Sequence, residues 1–168
     1  GNSAFIHCSS LTQITIPHSV TSIGHYVFYD CSSLTQIAMP SSVTSIGNAA
    51  FSRCSSLTEI KIPLSVTSIG NSAFFNCSSI TQITIPSSVT SIGENPFANC
   101  LNLEKILVDP DNPSFVSISG VLFTKNIETL ICYIPKNKGT TYVIPPSVTS
   151  IGNSAFIHCS SLTQITIP

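Results

Sequence analysis

Cysteine is the most reactive residue type that recurs at a fixed spacing in this chain. Five of its seven cysteines are 23 residues apart: Cys8, Cys31, Cys54, Cys77 and Cys100. Stacked copies of a repeat would bring them about 4.8 Å apart, so distance alone leaves disulfide pairing open. Ladder side chains point in one direction, however, and no CxxC or Cys/His cluster has the spacing of a zinc site. We therefore predict buried, reduced thiols that pack as small hydrophobic groups.

The four histidines could act as bases or metal ligands, but they occupy three different positions of the repeat. His7 and His158 precede a cysteine, His18 follows a proline, and His25 follows a glycine. They form no row, and no serine or cysteine nucleophile is paired with a base. The sequence therefore predicts no enzyme activity, no cofactor and no metal site.

Two short motifs suggest other chemistry. The segment DPDNP at 109–113 clusters two carboxylates with Asn112, which could indicate calcium. It lacks the ligand spacing and the glycine of an EF-hand loop, so we favour a tight turn built on proline and asparagine. Asn76, Cys77 and Ser78 form a glycosylation sequon, although Cys77 belongs to the predicted buried ladder.

These residues all lie within a 23-residue unit that recurs along the chain, as in ITQITIPSSVTSIGENPF. Alternating apolar residues in LTQITIP predict a short strand that proline closes. SVTSIG predicts a second extended segment, and the following residues predict one 3₁₀ or α-turn that buries phenylalanine and cysteine. One unit buries too few side chains to offset its chain entropy, so the copies must stack as a solenoid.

The period breaks after Val108, which predicts an irregular insertion at 109–144. Within it, GVLFTK and TLICYIP are two β-rich runs separated by three residues, which indicates a hairpin or an enlarged coil. Because the shape departs from the stack here, its apolar side chains could carry binding specificity. They are Val121, Leu122, Phe123, Tyr133 and Ile134.

Composition excludes several classes of partner. Charged residues make up 8% of the chain and the formal net charge is −1, so no basic stripe favours nucleic acid. No apolar run approaches the length of a membrane span, and no signal-peptide pattern opens the chain. The chain begins at Gly1 within a repeat, and we expect it to be a fragment of a longer protein.

The pattern LxxIxIP, SVTSIG, xxAFxxC at 23 residues per unit resembles the BspA-like subfamily of leucine-rich repeat proteins over essentially the whole chain. The segment DNPSFVSISGVLF…TLICYIP is similar to that family's long variant. Departures are Asp109 in place of the closing proline, Pro96 in place of a small residue, and Ile80 in place of leucine. The resemblance implies a β-rich, right-handed solenoid over residues 1–168, a single array with a parallel concave sheet.

Two rows of side chains are candidates for protein binding. The first faces outward from the LTQITIP strands, where the side chains are either simply solvated, with glutamines bonded along the stack, or form a recognition face. Its candidate residues are Gln13, Thr15, Gln36, Glu59, Lys61, Gln82, Thr84, Glu104, Lys105 and Gln164. The second row is either a contact surface or packing under the neighbouring turn. It comprises Ile6, Tyr29, Ser52, Phe75, Ala98 and Ile157.

The sequence thus predicts a non-catalytic module that binds a protein ligand through the concave strand face and the 109–144 segment. The family resemblance implies a host or matrix protein as ligand and an extracellular or cell-surface location. The alternative is a homo-oligomer that stacks head to tail through uncapped ends. The first 17 residues are identical to the last 17, which is consistent with that alternative.

Overall fold

The computed structural model describes residues 1–168 as a β-solenoid of about six coils without a helix. Each coil contributes to three rows, named here from the first coils: the turn row (1–8 and 24–31), the Gln/Thr row (11–17) and the Ser-Ile row (19–24). The strands are β1 (Ser22–Ile23), β2 (Ser45–Ile46), β3 (Ser68–Ile69), β4 (Gln82–Ile85), β5 (Ser91–Ile92), β6 (Lys105–Val108), β7 (Phe115–Ile118), β8 (Val121–Thr124), β9 (Thr129–Tyr133), β10 (Thr141–Val143), β11 (Ser150–Ile151) and β12 (Gln164–Thr166).

The Ser-Ile row is a regular parallel sheet in the first four coils. Strands β1, β2, β3 and β5 pair in that order, with each serine opposite the serine of the next coil. Isoleucines of this row, such as Ile46 and Ile69, point inward and are buried. The glycine that follows each strand permits the next coil to approach closely. A Cβ atom on Gly70 would lie 2.5 Å from the backbone nitrogen of Asn48.

The turn row is not helical, so the predicted 3₁₀ or α-turn is wrong. Two residues four apart in each complete copy have positive φ, such as Tyr26 (57°) and Asp30 (60°), and a right-handed helical turn cannot continue through them. Instead, alternate N–H groups donate to the next coil. Tyr26 N–H donates to the Asn48 carbonyl at 2.9 Å, and Phe28 N–H donates to the Ala50 carbonyl at 2.8 Å. The turn row therefore joins the coils as a sheet would.

A stack of phenylalanine rings forms the centre of the larger core. Neighbouring rings are 5.4–5.7 Å apart between centroids, and their planes are within 18° of parallel. The stacked residues are Phe5, Phe28, Phe51, Phe74 and Phe97. The isoleucines, leucines and cysteines of successive coils surround these rings. The inward positions of the repeat are thus used for packing, as the sequence predicted.

The Gln/Thr row is less regular than the sequence predicted. Strand β4 pairs with β6, and β10 with β12, both in parallel, but Thr15 and Ala38 form only an isolated bridge. No backbone hydrogen bond joins 57–63 to 80–86. Outward Ala, Glu and Lys residues in the second and third coils disfavour strand pairing, whereas the paired strands carry threonine and leucine there.

The insertion forms an antiparallel meander of β7, β8 and β9, and β9 then pairs in parallel with β11. The predicted hairpin is therefore confirmed as β8 and β9, while β7 was missed. Strand β8 is buried on both faces and separates two cores, with Leu122 in the larger and Val121 and Phe123 in the smaller. Tyr133 and Ile134 are also buried. The idea that these apolar side chains contact a ligand is wrong, because packing encloses them.

One buried asparagine joins the insertion to the regular stack. Asn112 is fully buried, and its Nδ2 atom donates to the carbonyl oxygens of Pro86 at 2.7 Å and Val89 at 3.0 Å. Its Oδ1 atom accepts from the N–H groups of Ser114 at 2.9 Å and Phe115 at 2.8 Å. All the hydrogen-bonding capacity of this side chain is thus used to start β7.

Replacing Gly70 with alanine tests the close approach of the coils. We expect Gly70→Ala to lower the free energy of unfolding by about 1–3 kcal/mol, because the new Cβ must displace backbone atoms of the preceding coil. Gly139→Ala is the matched control, since the nearest atom to its Cβ would lie at 3.5 Å. Urea unfolding of the two variants measures the difference, and equal stabilities would contradict the packing described here.

Candidate protein-binding surface

The cysteine ladder lies inside the solenoid. Cys31, Cys54, Cys77 and Cys100 are buried, and each thiol donates to a phenylalanine carbonyl of the preceding coil at 3.0–3.1 Å. Burial raises the pKa of Cys54 and of Cys100 to about 12. The predicted burial is wrong for Cys8, which lies in the first coil and is exposed. The four buried thiols serve packing and are poor nucleophiles.

Ionisation of the buried thiols predicts a stability change in alkaline solution. The pKa of Cys54 is 9.0 ordinarily and about 12 in the fold, so the folded state favours the protonated thiol. This contribution is complete below the unfolded pKa and is lost as the pH rises through the folded one. We expect the free energy of unfolding to fall between about pH 9 and about pH 12. The fall should be shallower in Cys54→Ala than in the exposed control Cys8→Ala, and parallel profiles would contradict this.

The other motifs with possible chemistry are structural. The 109–113 segment is a tight turn in which Asn112 N–H donates to the Asp109 carbonyl and Asp111 N–H donates to Asp109 Oδ1, both at 2.9 Å. No group of three His, Cys, Asp or Glu side chains could hold a metal ion. His25 Nδ1 accepts from Asn48 N–H at 2.8 Å. This histidine occupies the place of the asparagines that link other coils.

The side chains of the sequon contact neighbouring coils. Asn99 Nδ2 donates to Asn76 Oδ1, Cys77 is fully buried, and Ser78 Oγ donates to the Ser55 carbonyl at 3.4 Å. The sequon is therefore built into the coil-to-coil packing.

The ten candidate residues of the first row are all exposed. Strand register sets Gln82 beside Lys105, and Thr141 beside Gln164. We call this set the Gln/Thr face. A shallow hollow lies at one end of it, and its polar lining residues are Gln13, Thr15, Gln36, Glu59 and Lys61. Gln164 lies on β12, beyond the insertion, so the structure does not bring it together with the others.

The charges of the face are partly paired. Lys61 Nζ lies 3.6 Å from Glu59 Oε1, and Lys136 Nζ lies 3.5 Å from Glu104 Oε1. Both pairs are well exposed, so they add little stability and are available to a partner. Lys105 has no ion pair. Sequence reasoning missed Lys136, because it lies in the loop after β9, where the repeat gives no register.

The face also carries amide groups that the fold does not use. No hydrogen bond involves the side chain of Gln13, Gln36 or Gln82, so the predicted bonding of glutamines along the stack is absent. Other surface side chains behave differently. Thr44 Oγ1, for example, donates to the Thr21 carbonyl of the preceding coil at 3.1 Å. The face thus presents free donors, acceptors and charges, and no pairing of a nucleophile with a base.

The second candidate row is mixed. Its small members Ser52 and Ala98 are buried, Tyr29 and Phe75 are half-buried, and Ile6 is exposed. Packing under the neighbouring turn therefore accounts for the small members, and the row is not a continuous apolar surface.

The coils, the stacked inward side chains and the exposed strand face define a leucine-rich-repeat solenoid. The chain belongs to the BspA type leucine-rich repeat family, whose model matches residues 1–128 and 125–168 in six copies. The comparisons point to no catalytic family. The fold contains no helix, and therefore none that could cross a membrane. No curated protein sequence matches the chain.

Solved bacterial structures share this fold. A leucine-rich repeat protein from Eubacterium ventriosum is 33% identical, with a TM-score of 0.88 over 98% of this chain and 44% of its own. A leucine rich cell surface protein from Faecalibacterium prausnitzii is 35% identical, with a TM-score of 0.87 over 99% of this chain and 50% of its own. A Bacteroides ovatus leucine-rich repeat protein is 34% identical, with a TM-score of 0.71 over 100% of this chain and 40% of its own. The chain spans half or less of the length of these relatives.

Proposed function

We propose that this chain is a non-catalytic protein-binding module whose Gln/Thr face contacts the ligand. The observation that carries this proposal is that the glutamines of the face are exposed and make no hydrogen bond, whereas other polar side chains link one coil to the next. A fold that requires nothing of these side chains leaves them available to a partner. An extended row of strands also offers a broad, rigid surface, which is how repeat proteins bind their ligands.

The class of ligand follows from the chemistry of the face. Its hydrogen-bonding groups lie beside charges of both signs, such as Glu59 and Lys61, which suits a protein surface of mixed polarity. The family and the surface location named for the Faecalibacterium relative support a ligand outside the cell, either a host or a matrix protein. Self-assembly through the first and last coils stays a prediction, as does ligand contact by exposed residues of the insertion.

Exchanging the charged residues of the face for those of other coils tests the proposal. The variant Glu59→Gln/Lys61→Thr/Lys105→Gln carries side chains that already occur at equivalent positions, so it should fold normally. Against a panel of purified matrix proteins, we expect it to bind about tenfold more weakly than the wild-type chain, because central charged contacts contribute strongly to affinity. Biolayer interferometry gives the affinities.

The control for this experiment is Lys125→Gln/Glu128→Gln, which removes charges of both signs outside the face. It should bind as the wild-type chain does. Equal affinity of the face variant and the wild-type chain for every matrix protein that binds would place the site elsewhere, and binding to none of them would refute a matrix ligand.

A further inference from the structure

A second polar and aromatic patch lies on the turn row of the first three coils, apart from the Gln/Thr face. It contains most of the aromatic and ionisable side chains that distinguish these coils from one another. We call it the Tyr/Arg cluster, and its members are His7, Tyr26, Tyr29, Asp30 and Arg53.

Tyr29 is at the centre of the cluster. The Cζ atom of Arg53 lies 5.6 Å from the centroid of the Tyr29 ring, which is within the range of a cation–π contact. The rings of His7 and Tyr26 approach Tyr29 edge-on, with centroids at 5.6 Å and 5.9 Å. These contacts hold the Arg53 guanidinium in one place on the surface.

The charge of Arg53 is left without a partner. Asp30 is the nearby acid, but its Oδ2 atom lies 2.9 Å from Nδ1 of His7. No ion pair or hydrogen bond involves the exposed side chain of Arg53. A guanidinium presents a planar set of donors that matches a carboxylate in a bidentate manner, and an aromatic contact lowers the entropy lost when it binds.

The fold does not need these residue types. The position of Tyr26 is occupied by Ser3, Ala49 and Ser72 in neighbouring coils, all with positive φ. Tyrosine is bulky for that conformation, and here it is also exposed. Likewise, Asn76 stands at the position of Arg53 in the next coil. The cluster therefore departs from the repeat where packing gives no reason for it.

We propose that the Tyr/Arg cluster is a docking surface for a protein segment that presents an aspartate or glutamate side chain to Arg53. Tyrosine and arginine are enriched in the residues that dominate protein interfaces. The apolar parts of Tyr26 and Tyr29 would cover the partner's chain beside the carboxylate. A nucleic acid would need several cations along its backbone, and here Arg53 has none beside it. This site does not involve the Gln/Thr face.

A random peptide library displayed on phage, selected on the immobilised wild-type chain, tests this site with a defined probe. We expect the selected peptides to be enriched in aspartate or glutamate. Synthetic copies should bind Arg53→Asn about tenfold more weakly in fluorescence anisotropy titrations. Arg53→Lys should show most of this loss, because an ammonium cannot bind a carboxylate in the same planar, bidentate way. Tyr26→Ser should also weaken binding.

Matched variants make the result decisive. Asn and Ser occur at the equivalent positions of neighbouring coils, so Arg53→Asn and Tyr26→Ser should fold as the wild-type chain does, which urea unfolding checks. The Glu59→Gln/Lys61→Thr/Lys105→Gln variant should bind the selected peptides normally. The proposal is overturned if the selection yields no acidic peptides, if those peptides bind Arg53→Asn as tightly as the wild-type chain, or if their binding depends on the Gln/Thr face.

Discussion

The register of hydrogen bonds between successive coils is the constraint on which the rest of this structure depends. In the turn row, alternate N–H groups of one coil donate to carbonyl oxygens of the next, as Phe51 does to Ala73 at 2.8 Å. In the Ser-Ile row, paired strands hold the same register. Each side chain therefore lies beside its equivalent in the next coil, so an inward position must keep nearly the same size and shape throughout the stack. The parallel phenylalanine rings and the glycines that allow close approach both follow from this.

The same register separates residues that serve the fold from residues that are free to bind. Cysteine thiols, asparagine side chains and many threonine hydroxyl groups bond the neighbouring coil, as Cys77 Sγ does to the Phe51 carbonyl. The left-handed residues of the turn row cost conformational energy, and the coil-to-coil hydrogen bonds that they make possible offset it. Few backbone bonds remain in the Gln/Thr row of the third coil, whose side chains are correspondingly unconstrained by the stack.

Periodic features of this protein could be predicted from its sequence, and features outside the period could not. The 23-residue spacing of cysteine and glycine was enough to predict the solenoid and its inward positions. Strand β8 shows the limit, because a run such as Val-Leu-Phe does not reveal that both faces are buried. The left-handed turn was missed because residues such as Tyr26 and Arg53 are not typical of that conformation. The contact of Glu104 with Lys136 joins the repeat to a loop with no register, and only the fold brings them together.

Amide hydrogen exchange measured residue by residue tests most directly whether the turn row and the Ser-Ile row hold the coils while the Gln/Thr row stays free. The structure predicts strong protection for the amides of Phe51 and Phe74, which donate to the next coil. The amides of Glu59 and Lys61 donate no backbone hydrogen bond, and they should exchange many times faster than global unfolding allows. Equal protection of the two rows would contradict this account, because the Gln/Thr face would then be as firmly bonded into the stack as the rest of each coil.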